Sequence, residues 1–199
     1  EKIVSITAIG KLGKLRLHRG NAKTNDLLVT TGPHGLSRLG LALLRSELIN
    51  MEIIIPTSLK SLAIAKHQRP EPPIAALRAL ENCKPIDLPW RAAGIDSSDG
   101  LIEAIQSICE TSKCKAILNR SNLPISNQWP ENNKLDEFCL YGGEDYELIV
   151  SLPEEWAKAW IKSMPSLKII GYIQEGLPKI FWDNGEEINE INNLNFKHF

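Results

Sequence analysis

The sequence lacks a long apolar run, a signal peptide and an excess of charge of either sign. No stretch approaches the roughly 18 to 20 consecutive apolar residues that a membrane span needs, and the first residues show no signal-peptide pattern. The formal net charge of −1 excludes the electrostatic footprint of a protein that binds nucleic acid or an anionic membrane. We therefore predict a cytoplasmic protein that holds any phosphate ligand through local contacts.

The commonest metal and nucleotide motifs are also missing. The four cysteines form no CxxC pair and the four histidines are scattered, so the sequence predicts no zinc site. We expect the cysteines to be reduced and mostly buried. Neither GxxxxGK(S/T) nor the dinucleotide fingerprint GxGxxG occurs, which excludes the two commonest nucleotide-binding schemes at the level of sequence.

Length and composition favour a single domain over 1–199. With 43% apolar residues, a chain of 199 residues can bury one substantial core. The chain begins without Met and passes directly into an alternating strand pattern at 3–9. This start favours truncation of a longer protein, and a processed or trimmed terminus is the alternative.

The periodicity of apolar residues predicts strands and helices that do not alternate one to one. The fold class that fits is α/β (α+β), a mixed β-sheet flanked by helices. A long polar connection is expected at 119–136, and a loop over the last dozen residues. The predicted strands are 3–9, 26–31, 115–118, 146–152, 168–173 and 178–182, and the predicted helices are 35–48, 58–68, 72–82, 101–112 and 153–164.

A first candidate site is the DSSDG turn, residues 96–100, which leads into a helix. Asp96 and Asp99 could hold a hard cation through oxygen, while the start of the helix accepts a phosphate oxygen. The turn is thus a candidate magnesium–phosphate site. The alternative is purely structural: Ser98 or Asp99 caps the helix and the acids close the turn.

Two further candidates are the GGED loop, residues 141–147, and Arg19. Paired glycines let the backbone turn sharply, and they would deliver Glu144 and Asp145 to the mouth of the following strand. Arg19 precedes a polar turn and could grip a phosphate with two parallel hydrogen bonds. Their alternatives are an ordinary turn with solvated acids and a solvated surface arginine.

Taken in order, these segments resemble the thiamine-monophosphate kinase family, which shares a superfamily with aminoimidazole ribonucleotide synthetase and selenophosphate synthetase. The similarity runs over essentially the whole chain. It is carried by the turn at Arg19, TGPHGLSRLGLALL, RPEP after His67, IDSSDGL, LYGGEDYEL, IIGYIQEG and the closing NFKHF. The sequence departs from the family pattern at five positions, Pro33, His34, Arg38, Pro73 and Asn195.

The resemblance implies the fold of the carboxy-terminal domain related to aminoimidazole ribonucleotide synthetase, and a set of site residues. It implies Mg²⁺ ligands at Asp96 and Asp99 and ATP contacts at Arg19 and Ser98. It further implies contacts with thiamine monophosphate at Glu144 and Phe196. A carboxylate can accept a hydrogen bond from an aminopyrimidine, and an aromatic face can pack on a flat cationic heterocycle.

The implied reaction is transfer of the γ-phosphoryl group of ATP to thiamine monophosphate, giving thiamine diphosphate. Residues 1–10 would end a linking strand from a missing amino-terminal ATP- and Mg-binding domain, so the present chain alone is expected to be inactive. The parent protein is expected to be a homodimer. Two alternatives stay open: a related superfamily phosphotransferase acting on another substrate, and a non-catalytic binding or assembly module.

Overall fold

The computed structural model describes residues 4–188, which contain six helices and six strands. Two short 3-10 helices, Arg19–Asn21 and Arg120–Asn122, complete the elements of this range. The helices are α1 (Leu36–Leu44), α2 (Thr57–Gln68), α3 (Ile74–Asn82), α4 (Leu101–Ser112), α5 (Asn133–Tyr141) and α6 (Glu154–Ser163). The strands are β1 (Leu27–Thr30), β2 (Ala93–Asp96), β3 (Lys115–Leu118), β4 (Leu148–Leu152), β5 (Lys168–Gln174) and β6 (Ile180–Trp182).

The strands form one mixed sheet in the order β2-β4-β1-β5-β3-β6. All neighbours are antiparallel except β3 and β6, which run parallel. Helices cover the sheet, so the predicted fold class, a mixed sheet flanked by helices, is confirmed. Strands β2 and β4 pair from Ala93 opposite Ser151 to Asp96 opposite Leu148, and both candidate motifs adjoin this pair.

Alternation along the strands supplies two apolar faces. Leu28 and Ile149 belong to the core beneath α4, whereas Val29 and Val150 belong to the core beneath α3 and α6. Because successive strand side chains point to opposite sides, one short apolar strand can serve both layers. Trp156 contributes to the second core and donates its indole N–H to the Leu80 carbonyl at 2.9 Å, which ties α6 to α3.

A third apolar cluster joins α1, α2 and α5. Leu39 and Leu59 are fully buried in it, and a Cβ atom at Gly40 would overlap the Ala63 carbonyl oxygen. Glycine at position 40 therefore allows α1 and α2 to approach closely. This cluster fixes α2 beside the GGED loop.

The strand predicted at 3–9 is wrong over the residues that can be compared. Residues 4–9 have no regular structure, and Val4, Ile6 and Ile9 are 84%, 85% and 95% exposed. The alternating pattern is present, but a strand also needs a neighbour that accepts its backbone hydrogen bonds. Within 4–188 no strand pairs with this segment.

Several elements and boundaries differ from the sequence prediction: strand β2 was not predicted, α1 ends at Leu44 instead of 48, and β6 begins at Ile180 instead of 178. The expected connection at 119–136 ends early, because the Asn132 side chain accepts hydrogen bonds from the backbone N–H groups of Lys134 and Leu135 and starts α5. Strand β4 begins at Leu148, two residues later than predicted, since Tyr146 has a φ of 54° that no extended strand adopts.

The expected state of the cysteines is confirmed, since all four are free and three of them are buried. None of the helices within 4–188 combines the length and apolar character that crossing a membrane requires.

Candidate functional site

The DSSDG turn forms where β2 ends and α4 begins. Asp96 is the last residue of β2, and the chain then turns through a hydrogen bond from the Gly100 N–H to the Ser97 carbonyl at 3.1 Å. Gly100 has a φ of 112°, a backbone conformation that strains any side-chain-bearing residue. The sequence therefore needs glycine at this place for β2 to lead directly into α4.

The predicted cap of α4 is wrong. Gly100 occupies the N-cap position, and it has no side chain with which to accept a hydrogen bond from the first turn. Ser98 and Asp99 precede the cap, because α4 begins at Leu101 and Gly100 is the residue directly before it. The face predicted for α4 is confirmed, since Leu101, Ile105, Ile108 and Cys109 are all fully buried.

Asp96 and Asp99 are both exposed, as a ligand site requires. Within residues 4–188, the Asp96 carboxylate makes no hydrogen bond or ion pair, so its oxygens are free to bind a cation. Two carboxylates suit Mg²⁺, which uses one or two of them together with phosphate oxygens and water. The described range contains no group of three or more His, Cys, Asp or Glu side chains arranged around a metal. The two carboxylates could thus supply some of the ligands of a magnesium site.

The GGED loop meets the DSSDG turn through two backbone hydrogen bonds. The Glu144 N–H donates to the Ser98 carbonyl at 2.7 Å, and the Ser97 N–H donates to the Glu147 carbonyl at 2.8 Å. The structure therefore brings Ser98 and Glu144 together, although 45 positions separate them in the sequence. Glu144 itself has a φ of 66°, a conformation that non-glycine residues adopt rarely and often at functional sites.

The Glu144 side chain faces α2. Its carboxylate lies 3.6 Å from the His67 Nδ1 atom, which is also 3.1 Å from the Ser37 hydroxyl. The Glu144 side chain is 34% exposed and the His67 side chain 20%, so both border the solvent-accessible side of the loop. The sequence analysis assigned no site role to His67, although its place two residues before RPEP was an available signal.

The prediction that Asp145 lies accessible at the start of the following strand is wrong. The residue is buried, and its carboxylate accepts hydrogen bonds from the Gly35 N–H at 2.7 Å and the Ser37 N–H at 3.0 Å. Burial raises the pKa of Asp145 to about 7, while these two hydrogen bonds act in the opposite direction. Asp145 thus fixes the start of α1 and leaves Glu144 as the accessible acid of the pair.

Glu147 is a second buried acid beneath the loop. Its carboxylate accepts a hydrogen bond from the Thr31 hydroxyl at 2.6 Å and lies 3.8 Å from the Lys66 ammonium group. Burial raises the pKa of Glu147, and Thr31 and Lys66 both lower it. A Cβ atom at Gly32 would lie 2.6 Å from the Glu147 carboxylate, so glycine makes room for this contact.

Arg19 lies apart from these two motifs within the described residues. Its guanidinium donates to the Ser107 hydroxyl at 2.9 Å, and its carbonyl accepts from the Ser112 hydroxyl at 2.7 Å. Ser107 is six residues beyond the start of α4, which corresponds to about 9 Å along the helix axis. The predicted role of Arg19 in ATP binding therefore requires a ligand that extends along α4.

The remaining predicted positions have varied surroundings. His34 is fully buried, and Arg38 forms an ion pair with Glu47 at 2.6 Å. Pro73 is the N-cap residue of α3, and Pro33 borders a groove of about 420 Å³. The predicted substrate residue Phe196 and the departure at Asn195 lie outside the described residues.

Known proteins resemble the chain over its full length. It is 52% identical over all 199 residues to the thiamine-monophosphate kinase of Prochlorococcus marinus, covering 60% of that protein. It is 37% identical over 174 residues to the thiamine-monophosphate kinase of Synechococcus elongatus, covering 86% of this chain and 51% of that protein. The chain thus spans between half and two thirds of the length of these curated relatives.

The fold has solved counterparts as well. AaThiL complexed with AMPPCP and TMP is 27% identical to the chain, with a TM-score of 0.69, over 92% of this chain and 54% of that one. The chain matches no protein-family profile. The similarity of the whole chain to a curated relative and the shared fold agree with the resemblance that the sequence motifs carry. The chain belongs to the thiamine-monophosphate kinase family.

Proposed function

We propose that the protein containing this chain transfers the γ-phosphoryl group of ATP to thiamine monophosphate and releases ADP and thiamine diphosphate. The observation that carries the proposal is the hydrogen bond from the Glu144 N–H to the Ser98 carbonyl. It joins a loop suited to an organic substrate to a turn suited to a metal-bound phosphate. The similarity to AaThiL, solved with AMPPCP and TMP, supports the same pair of ligands.

The proposed roles follow from the chemistry of each group. Asp96 and Asp99 would hold Mg²⁺, which when bound neutralises charge on the phosphates. The Ser98 hydroxyl and the Arg19 guanidinium would contact ATP. Glu144 would accept a hydrogen bond from the aminopyrimidine of thiamine monophosphate, and Phe196 would pack on its heterocycle.

The reaction needs no nucleophile from the protein. A phosphate oxygen of thiamine monophosphate attacks the γ-phosphorus, and the bond from that phosphorus to the β–γ bridging oxygen breaks. Both reactants are anions, so the contribution of the site is alignment and charge neutralisation. The two exposed carboxylates of the DSSDG turn, Asp96 and Asp99, suit such a role.

The proposal includes partners beyond residues 4–188. Residues 4–188 contain no group of three or more His, Cys, Asp or Glu side chains that could surround a metal ion, so we propose that a separate amino-terminal domain supplies further metal ligands. We further propose that the parent protein is a homodimer and acts in the cytoplasm, with the present chain as the carboxy-terminal part.

The test of the function is ADP formation from MgATP with and without thiamine monophosphate. It should be run on this chain and on the gene product extended upstream of Glu1. We expect turnover only in the extended protein, and only with thiamine monophosphate. ADP formation that does not depend on thiamine monophosphate would favour a related phosphotransferase with another substrate. The absence of ADP formation in both proteins would favour a binding or assembly module.

Replacing Glu144 with Gln in the extended protein is expected to raise the KM for thiamine monophosphate about 10-fold with little change in kcat. The amide is a weaker acceptor than the carboxylate, and a hydrogen bond to a charged group is worth roughly 1.5 kcal/mol or more. Steady-state kinetics with varied thiamine monophosphate at saturating MgATP would measure the change.

The matched control is Glu155→Gln, which neutralises an exposed acid at the start of α6. This variant should keep the wild-type KM. An unchanged KM in Glu144→Gln, or an equal rise in the KM for ATP, would contradict the assignment of Glu144 to the substrate.

A further inference from the structure

His34 is a fully buried histidine in the segment between β1 and α1. Its backbone N–H donates to the Pro124 carbonyl at 2.7 Å, so the residue is held from the main chain. Its Nε2 atom lies 2.9 Å from the Ser97 hydroxyl oxygen. The side chain therefore reaches from β1 across to the DSSDG turn.

Ser97 stands between Asp96 and Ser98 in that turn and is itself fully buried. Its backbone N–H is bonded to the Glu147 carbonyl, and its carbonyl to the Gly100 N–H. The partner of its hydroxyl within 4–188 is His34. His34 is thus the side chain that anchors the middle of the turn.

The chemistry of the pair is that of a neutral hydrogen bond. Burial lowers the pKa of His34 to about 4, so the imidazole is uncharged at neutral pH. The Nδ1 atom is buried and makes no hydrogen bond within the described range. A buried polar atom without a partner costs free energy, so an apolar side chain of similar size would suit the core better. The presence of histidine calls for a reason other than packing.

We propose that His34 is a positioning residue for the phosphoryl-transfer site: by holding the Ser97 hydroxyl, it sets the orientation of the Asp96 carboxylate and of Ser98 toward metal-bound ATP. This inference rests on the proposed function, since it assigns the turn to metal and nucleotide. Removal of a side chain that orients a metal ligand through a hydrogen bond typically lowers metal affinity or activity 10- to 100-fold. His34 acts through Ser97 and touches no reactant.

The test uses the extended protein and three variants. His34→Leu removes the hydrogen bond and keeps most of the volume, Ser97→Ala removes it from the other side, and His34→Gln keeps a polar group near the Nε2 position. Each is measured for Mn²⁺ binding by calorimetric titration in the presence of AMPPCP, for the Mg²⁺ concentration that gives half-maximal rate, and for Tm. Ser163→Ala, which removes a serine hydroxyl bonded to the Trp160 carbonyl in α6, is the matched control.

We expect His34→Leu and Ser97→Ala each to weaken Mn²⁺ binding and to raise the half-maximal Mg²⁺ concentration about 10-fold. His34→Gln should recover to within about 2-fold of wild type, and the double variant His34→Leu with Ser97→Ala should be no worse than either single one, because both remove the same contact. Ser163→Ala should bind Mn²⁺ as wild type does.

The inference is overturned if the variants lower only Tm and leave Mn²⁺ binding unchanged, if the two single effects add, or if wild type binds no Mn²⁺. If His34→Leu does not fold, Ser97→Ala and His34→Gln decide the matter. If the wild type binds Mn²⁺, the His34 and Ser97 variants weaken this binding as expected, and the rate does not depend on thiamine monophosphate, the proposed function is wrong and the role of His34 stands.

Discussion

Replacing Asp96 with Asn in the extended protein is expected to lower kcat for phosphoryl transfer at least about 100-fold. The amide removes a negative charge from the proposed metal ligand. Loss of a residue that only hydrogen-bonds to a metal ligand already lowers metal affinity or activity 10- to 100-fold. Because Asp96 is exposed and its side chain makes no hydrogen bond or ion pair within 4–188, Tm should stay close to that of wild type. Steady-state kinetics over a series of Mg²⁺ concentrations, together with thermal melts, would measure both effects.

Asp183→Asn is the control for this experiment. Asp183 is also an exposed aspartate, and its backbone N–H pairs with the Leu118 carbonyl, remote from the DSSDG turn in the fold. It should keep the wild-type rate. Undiminished turnover of Asp96→Asn at limiting Mg²⁺ would remove Asp96 from the metal site.

The second large effect concerns stability. Asp145→Ala is expected to lower the free energy of unfolding at pH 7 by about 2–4 kcal/mol. The variant leaves the Gly35 and Ser37 N–H groups without their acceptor, and each buried unsatisfied donor costs roughly 1–3 kcal/mol. Denaturant unfolding of the present chain would measure this, and Asp145→Asn, which keeps an acceptor oxygen, should lose less.

The same two variants separate charge from hydrogen bonding. The pKa of Asp145 is about 7 in the folded chain against 3.8 for the ordinary group, so between these values the folded state keeps a proton that the unfolded state has lost. The stability that Asp145 contributes is therefore complete below about pH 4 and declines as pH rises toward 7. Asp145→Asn should flatten this decline. An unchanged pH profile in Asp145→Asn would mean that another group, such as Glu147, carries the dependence.

Much of the fold could be predicted because periodic patterns and local packing agree. Helix α4 has its buried residues at helical spacing, and β1 carries two adjacent buried apolar residues, Leu28 and Val29, because the sheet is covered on both sides. The segment 3–9 has an equally clear pattern, yet its described residues, 4–9, form no strand, since the pattern does not specify a pairing partner. Helix α5 escaped prediction because its start lies among polar residues and depends on the side chain of Asn132.

The candidate site was predictable in its parts and not in its arrangement. The sequence marks Asp96, Ser98 and Glu144 as chemistry-bearing residues, and the backbone contact between Ser98 and Glu144 follows only from the pairing of β2 with β4. Glu144 is partly exposed whereas Asp145 is buried, and this difference depends on the positive φ at Glu144, which the sequence alone does not predict. Arg19 illustrates the converse, because its position along α4 depends on the path of the chain before β1.

The two backbone bonds between the DSSDG turn and the GGED loop continue the β2–β4 ladder beyond its last strand pair. Main-chain hydrogen bonds thus join the turn proposed to bind nucleotide to the loop proposed to bind substrate. A ligand that shifts one loop must stretch hydrogen bonds of the other. Under the proposed function, we expect occupancy by ATP to change the affinity for thiamine monophosphate through the main chain, and by linkage the effect would be equal in both directions.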